Sequence, residues 1–143
     1  MNKPLPDEIL ASLKIHAACG REAIRAGDTA RAERDFLAAW NCLPEPKVEY
    51  DYAQSLSRGL VAFYRDAGKI DQARQWYQVM RDAYGSLPDS SSDFIGGTID
   101  YEAGEYDSAF RAFDALYKRF KTRPFEGHAK KYLEFYKKRA LGD

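Results

Sequence analysis

Two cysteines in 143 residues, and nowhere about 18 apolar side chains in a row, remove two classes of protein at the outset. A disulfide-built secreted scaffold needs more thiols than Cys19 and Cys42 supply. Both sit among apolar neighbours, where a reduced thiol packs as a small hydrophobe. Met1 to Asp7 contain no apolar signal core, so the expected location is the cytoplasm. Net charge is missing as well. The 22 basic and 22 acidic residues cancel, which denies the chain the overall positive field that drives non-specific nucleic-acid binding. That balance is uneven: residues 118–143 hold nine Lys/Arg against three Asp/Glu, and residues 1–117 hold thirteen against nineteen.

Catalytic signatures are absent too. There is no nucleophile elbow, phosphate-binding Gly loop, His-Glu-x-x-His pair or Cys-x-x-Cys, and no enzyme activity is expected. His16 and Cys19, three residues apart, with Cys42 and His128 elsewhere, come nearest to a metal set. Both His16 and Cys19 fall where a helix would pack, so neither a metal nor a cofactor is expected. What remains is 45% apolar and 31% charged residues, the profile of one soluble globular domain.

The chain does contain a repeat. A Gly, an Ala five residues later and an aromatic four further on recur as Gly27/Ala32/Phe36, Gly68/Ala73/Tyr77 and Gly104/Ala109/Phe113. Self-similarity at a few tens of residues marks stacked helix hairpins. The pattern predicts hairpins over about 7–43, 51–85 and 91–122, and a capping helix over about 127–141, seven helices in all. Asp7 and then Asp28 or Thr29 are the expected caps of the first two helices. Ile9, Leu10, Leu13, Ala17 and Ile24 form the expected buried stripe of the first. Pro44 and Pro46 stop the second helix. Pro88 with Ser90-Ser91-Ser92 makes a loop and a capping site before the fifth. Gly20 and the pair Gly96-Gly97 lie inside helices at a cost of about 1 kcal/mol each relative to Ala, which a close approach of the neighbouring helix would explain.

These residues resemble the tetratricopeptide repeat, a 34-residue helix–turn–helix motif. Gly20, Gly27, Ala32, Phe36, Ala39 and Pro44 match its spacing best, and the likeness covers roughly residues 13–123. The departures are that His16, Ser57 and Asp93 stand where the family has Trp, and that insertions fall at Pro44–Tyr52 and around Ser86–Ser92. The resemblance implies an all-α, tetratricopeptide-like helix-hairpin solenoid whose first helices line a concave surface.

Its groove-facing positions would be Lys14, Ala17, Arg21 and Arg25, then Ser55, Arg58, Ala62, Arg65 and Asp66, then Ser91, Phe94, Thr98, Tyr101 and Glu102. Arg21, Arg25, Arg58 and Arg65 suit capture of carboxylates, with Asp66 and Glu102 beside them and Phe94 and Tyr101 as anchors for a partner side chain. The alternative is that Arg58 and Arg65 pair internally with Asp51, Asp66 or Asp93. The only asparagines are Asn2 and Asn41, so the family's Lys/Asn clamp for a peptide C-terminus is not expected.

Leu43-Pro44-Glu45-Pro46, Gln54 to Gly59 and Arg123 to Gly127 also resemble stretches of small bacterial immunity proteins that neutralise a toxin. That likeness implies a cognate toxin as protein partner. A scaffold or secretion chaperone holding an extended peptide is the second expectation. The third, an RNA-binding repeat using Lys130, Lys131, Lys137 and Lys138, places last. The lysines read as a solvated face, and Tyr132 and Tyr136 as packing residues.

Overall fold

The repeat's glycines end helices in the same way each time. In a computed structural model describing residues 3–85 and 89–142, Gly27, Gly68 and Gly104 have φ of +76°, +77° and +80°. This left-handed geometry is open to a residue without Cβ. It lets the next amide reach back: Asp28 N–H donates to Ala23 C=O, Lys69 to Tyr64 and Glu105 to Asp100, each at 2.9 Å. Three helix hairpins result. They are α1 (Asp7–Arg25) with α2 (Thr29–Asn41), α3 (Ala53–Asp66) with α4 (Ile70–Tyr84), and α5 (Ser90–Glu102) with α6 (Tyr106–Phe120). With α7 (Lys130–Ala140) there are seven α-helices and no named strand among the described residues. The fold is all-α with helix-hairpin packing, as expected.

Helix starts differ in detail from the sequence reading. Asp28 caps α2 by accepting from Arg31 N–H at 3.1 Å. Asp7 does not cap α1: it is the first helical residue, after Pro6, where its charge meets the positive helix end. Asp89 rather than the serine run caps α5, accepting from Ser91 N–H at 3.0 Å and from the Ser92 hydroxyl at 2.8 Å. The last helix begins at Lys130 and not at Gly127, whose φ of +81° lies outside helical geometry. The loop assigned to Ser86–Ser92 lies in part, with Pro88, outside the described residues.

The chain divides into two units, Met1–Ser86 and Leu87–Asp143. In the first, α1 packs on α2, α2 on α3 and α3 on α4. Leu13, Ala32, Leu60 and Met80 are buried between them, and Trp40 meets Trp76 edge-on at 5.1 Å. A short 3-10 turn at Lys47–Glu49 fills the insertion after Pro44, and Lys3 lies alongside it, exchanging backbone bonds with Glu49 and Asp51. In the second unit an aromatic core joins α5, α6, the 3-10 turn Arg123–Phe125 and α7 through Phe94, Phe113, Phe125, Tyr132 and Tyr136.

Two contacts explain Gly20 and Gly97. A Cβ on Gly20 would stand 2.6 Å from Phe36 Cε1, and one on Gly97 would stand 2.7 Å from Phe113 Cε1. The aromatic of each second helix packs directly against the bare backbone of the first.

Candidate functional site

A concavity runs between α1 and α3 in the first unit, and Phe36 of α2 forms its floor. Its volume is about 620 Å³, in the range of sites for small ligands and side-chain clusters. Leu13, Ala17 and Ala18 line one wall, and Leu56 and Gly59 the other. A second hollow of about 300 Å³ continues past Phe36 and Gly59 to Ile24 and Asp66. From Leu13 to Ile24 the α1 wall is about 16 Å long at 1.5 Å per residue.

Local sequence explains the apolar trough. Small side chains at 17, 18, 59 and 62 keep both walls low, and the repeat's aromatic at 36, held close against Gly20, lines both hollows. Ile24, expected in the buried stripe, is instead 50% exposed: it sits one residue past buried Ala23, on the face that lines the hollow.

Lys14 and Arg21 stand on the α1 wall, two helical turns apart, both exposed. Neither has an ion pair or a side-chain hydrogen bond among the described residues. At 1.5 Å per residue the seven-residue step sets them about 10 Å apart along the axis.

The other expected site residues are distributed differently. Arg25 pairs with Glu22 at 3.6 Å on the same exposed helix edge. Arg65 bonds its neighbour Asp66 through Nε at 2.9 Å and Nη2 at 3.3 Å, so this pair is engaged internally, while Asp66 also borders the second hollow. Arg58 is half-buried on α3 and has an interaction within the protein.

Phe94 requires a correction. Fully buried, it packs on Phe113 and Phe125 at 5.1 and 5.0 Å and offers no surface to a partner. Tyr101 meets Tyr132 and Phe135, and Glu102 accepts from the Tyr132 hydroxyl at 2.8 Å while pairing with Lys131 at 2.6 Å. The common reason is that α7 covers this face of α5, turning an expected groove position into a helix seam.

On α7, Tyr132 and Tyr136 are buried, Lys131 pairs with Glu102 and Arg139 with Asp107. Burial pushes the Tyr136 phenol up to about 12, helped by its bond to Asp114 at 2.8 Å. Rings held this way do not provide a platform for stacking bases. Among the described residues no group of three or more His, Cys, Asp or Glu is placed to hold a metal ion. No helix among them is long and apolar enough to cross a membrane.

Sequence reasoning placed Lys14, Ala17, Arg21 and Ser55 on the groove and missed Leu13, Ala18, Phe36, Tyr52, Leu56 and Gly59. The last had a signal. It is a glycine inside a helix, away from the repeat's small position, and nothing lies within 4 Å of where its Cβ would stand. Comparison with protein-family models, with curated proteins and with solved structures finds no match for this chain.

Proposed function

We propose that this protein is a non-catalytic binding module that holds an apolar, acidic polypeptide segment of its partner in the α1–α3 groove. One observation carries the reading: an open apolar trough bordered by two cations that no acidic group of the described residues neutralises. Water-exposed apolar surface gains about 25 cal/mol per Å² on being covered, so the floor supplies affinity. Lys14 and Arg21 supply charge selection and attract an acidic segment at long range. Among partners, the resemblance to bacterial immunity proteins points to a secreted toxin neutralised in the cytoplasm by stoichiometric binding, and a scaffold or chaperone client would use the same trough.

The test is a photo-crosslinking amino acid at Ala18 in the groove or at Gln72, exposed on α4, in the native cell. Protein adducts are expected from position 18, not from 72, and should disappear with Arg21→Glu. Equal labelling at both positions, or adducts indifferent to Arg21, would overturn the proposal. For the toxin, co-expression should protect the cell, and Leu56→Asp should abolish protection and complex together.

A further inference from the structure

The chemistry of the trough also specifies the form of its occupant. We infer that the bound segment is an amphipathic α-helix carrying two carboxylates seven residues apart, with its backbone packed closely over Gly59. This rests on the groove being the binding site.

Three observations support it. The first is the poverty of hydrogen-bonding groups. An extended segment brings an unsatisfied N–H and C=O with every residue, and burying them without partners is costly. Besides the two cations, which only donate, the first hollow offers little more than the hydroxyls of Tyr52 and Ser55, and the second adds Thr29 and the Asp66 carboxylate that Arg65 already engages. A helix satisfies its own backbone and needs only an apolar face. The second is charge spacing. Lys14 and Arg21 are two turns apart on α1, and a helix lying along that wall repeats the interval of about 10 Å between residues i and i+7.

The third is Gly59. Gly20 and Gly97 are explained by the rings that occupy their missing Cβ positions, but the space over Gly59 is empty. A glycine inside a helix costs about 1 kcal/mol against Ala, and no contact among the described residues requires it. It lies where the two hollows meet, beside Phe36. A bare backbone at that waist permits a second helix to approach more closely than any side chain would.

Selection of a displayed random 16-residue peptide library on the immobilised 143-residue chain tests this. Enriched peptides should carry Asp or Glu seven apart with apolar residues at three- and four-residue spacing. Their affinity should fall at least tenfold with Arg21→Glu, and recover when the facing acid is exchanged for Lys. Gly59→Leu should weaken them at least tenfold while the protein's unfolding midpoint stays level or rises, and Gly59→Ala should raise that midpoint.

Peptides rich in proline or without helical period, yet still dependent on Arg21 and Leu56, would overturn the helical occupant and leave the groove as the site. No enrichment, or peptides indifferent to Arg21→Glu and Leu56→Asp, would overturn both.

Discussion

Phe36 lies so close to Gly20 that a Cβ there would fall 2.6 Å from its Cε1, and Phe113 repeats the arrangement on Gly97 at 2.7 Å. The environments of the two rings differ. Phe113 is fully buried, with Phe94, Phe125 and Tyr132 around it. Phe36 has the groove above it and Phe63 edge-on at 5.7 Å on one side. One ring has space to move into, and the other has none.

Three glycine-to-alanine changes should therefore separate. Each gains about 1 kcal/mol in helix propensity, and overpacking a closed core costs about 1–3 kcal/mol. Gly97→Ala should lower stability by up to about 2 kcal/mol, because Phe113 cannot yield. Gly20→Ala should cost less, with Phe36 rising into the trough and weakening ligand binding. Gly59→Ala should stabilise, since a Cβ there meets nothing. Urea unfolding checks the order, and a Gly20→Ala cost exceeding that of Gly97→Ala would contradict the ring environments described.

The Tyr64 hydroxyl donates to Glu33 at 2.7 Å, joining α3 to α2, and burial followed by that bond pushes its phenol well above the usual range. Hydrogen bonds to charged groups contribute about 1.5–3 kcal/mol. Glu33 also faces Lys69 at 3.7 Å and is partly solvated, so removing the hydroxyl does not leave its charge stranded. Tyr64→Phe should then cost about 1 kcal/mol, read as a lower denaturant midpoint with unchanged slope. A loss above 3 kcal/mol would mean that Glu33 depends on Tyr64 alone.

Much of this architecture is legible in the residues because it depends on local rules. Gly27, Gly68 and Gly104 announce the turns through the conformation they alone adopt easily, and Gly20 and Gly97 announce close packing through their cost inside a helix. The groove was only half legible. Lys14, Ala17 and Arg21 follow from the resemblance to the tetratricopeptide repeat, whereas the fate of Phe94, Tyr101 and Glu102 depends on where α7 docks. Thirty residues separate Tyr132 from Glu102, and no periodicity encodes that contact. The pairing of Arg65 with Asp66 was one of two readings the sequence left open, and the geometry of the two neighbouring side chains selects it.

Ile24 gives a direct test of which apolar residues serve the fold. At 50% exposure it lines the second hollow, while Leu60, at 1%, is core. Leu60→Ala should cost about 2–5 kcal/mol. Ile24→Ser should move stability by no more than about 0.5 kcal/mol and still weaken whatever occupies the groove. Thermal unfolding beside a binding titration distinguishes these outcomes, and a large destabilisation by Ile24→Ser would return that residue to the core.

The docking of α7 should have two pH limits, both set at Tyr136 and Asp114. Hydrogen bonds from Lys118 and then Tyr136 hold the Asp114 carboxyl below its usual 3.8. A depressed folded value gives stability that is present above 3.8 and lost as pH falls through the folded value. Burial, then the bond to Asp114, raises the Tyr136 phenol to about 12 from 10.0. A raised folded value gives stability that is complete below 10 and lost as pH rises through 12. Tyr136→Phe removes the bond but leaves Asp114 with Lys118 at 2.9 Å, so at pH 7 the variant should be about 1–2 kcal/mol less stable. That gap should narrow below pH 3.8 as the carboxylate is protonated, and again above pH 10 as the unfolded phenol ionises. Denaturant midpoints of both proteins at pH 3, 7 and 11 measure it, and a gap constant across the three would show that the hydroxyl of Tyr136 contributes packing alone.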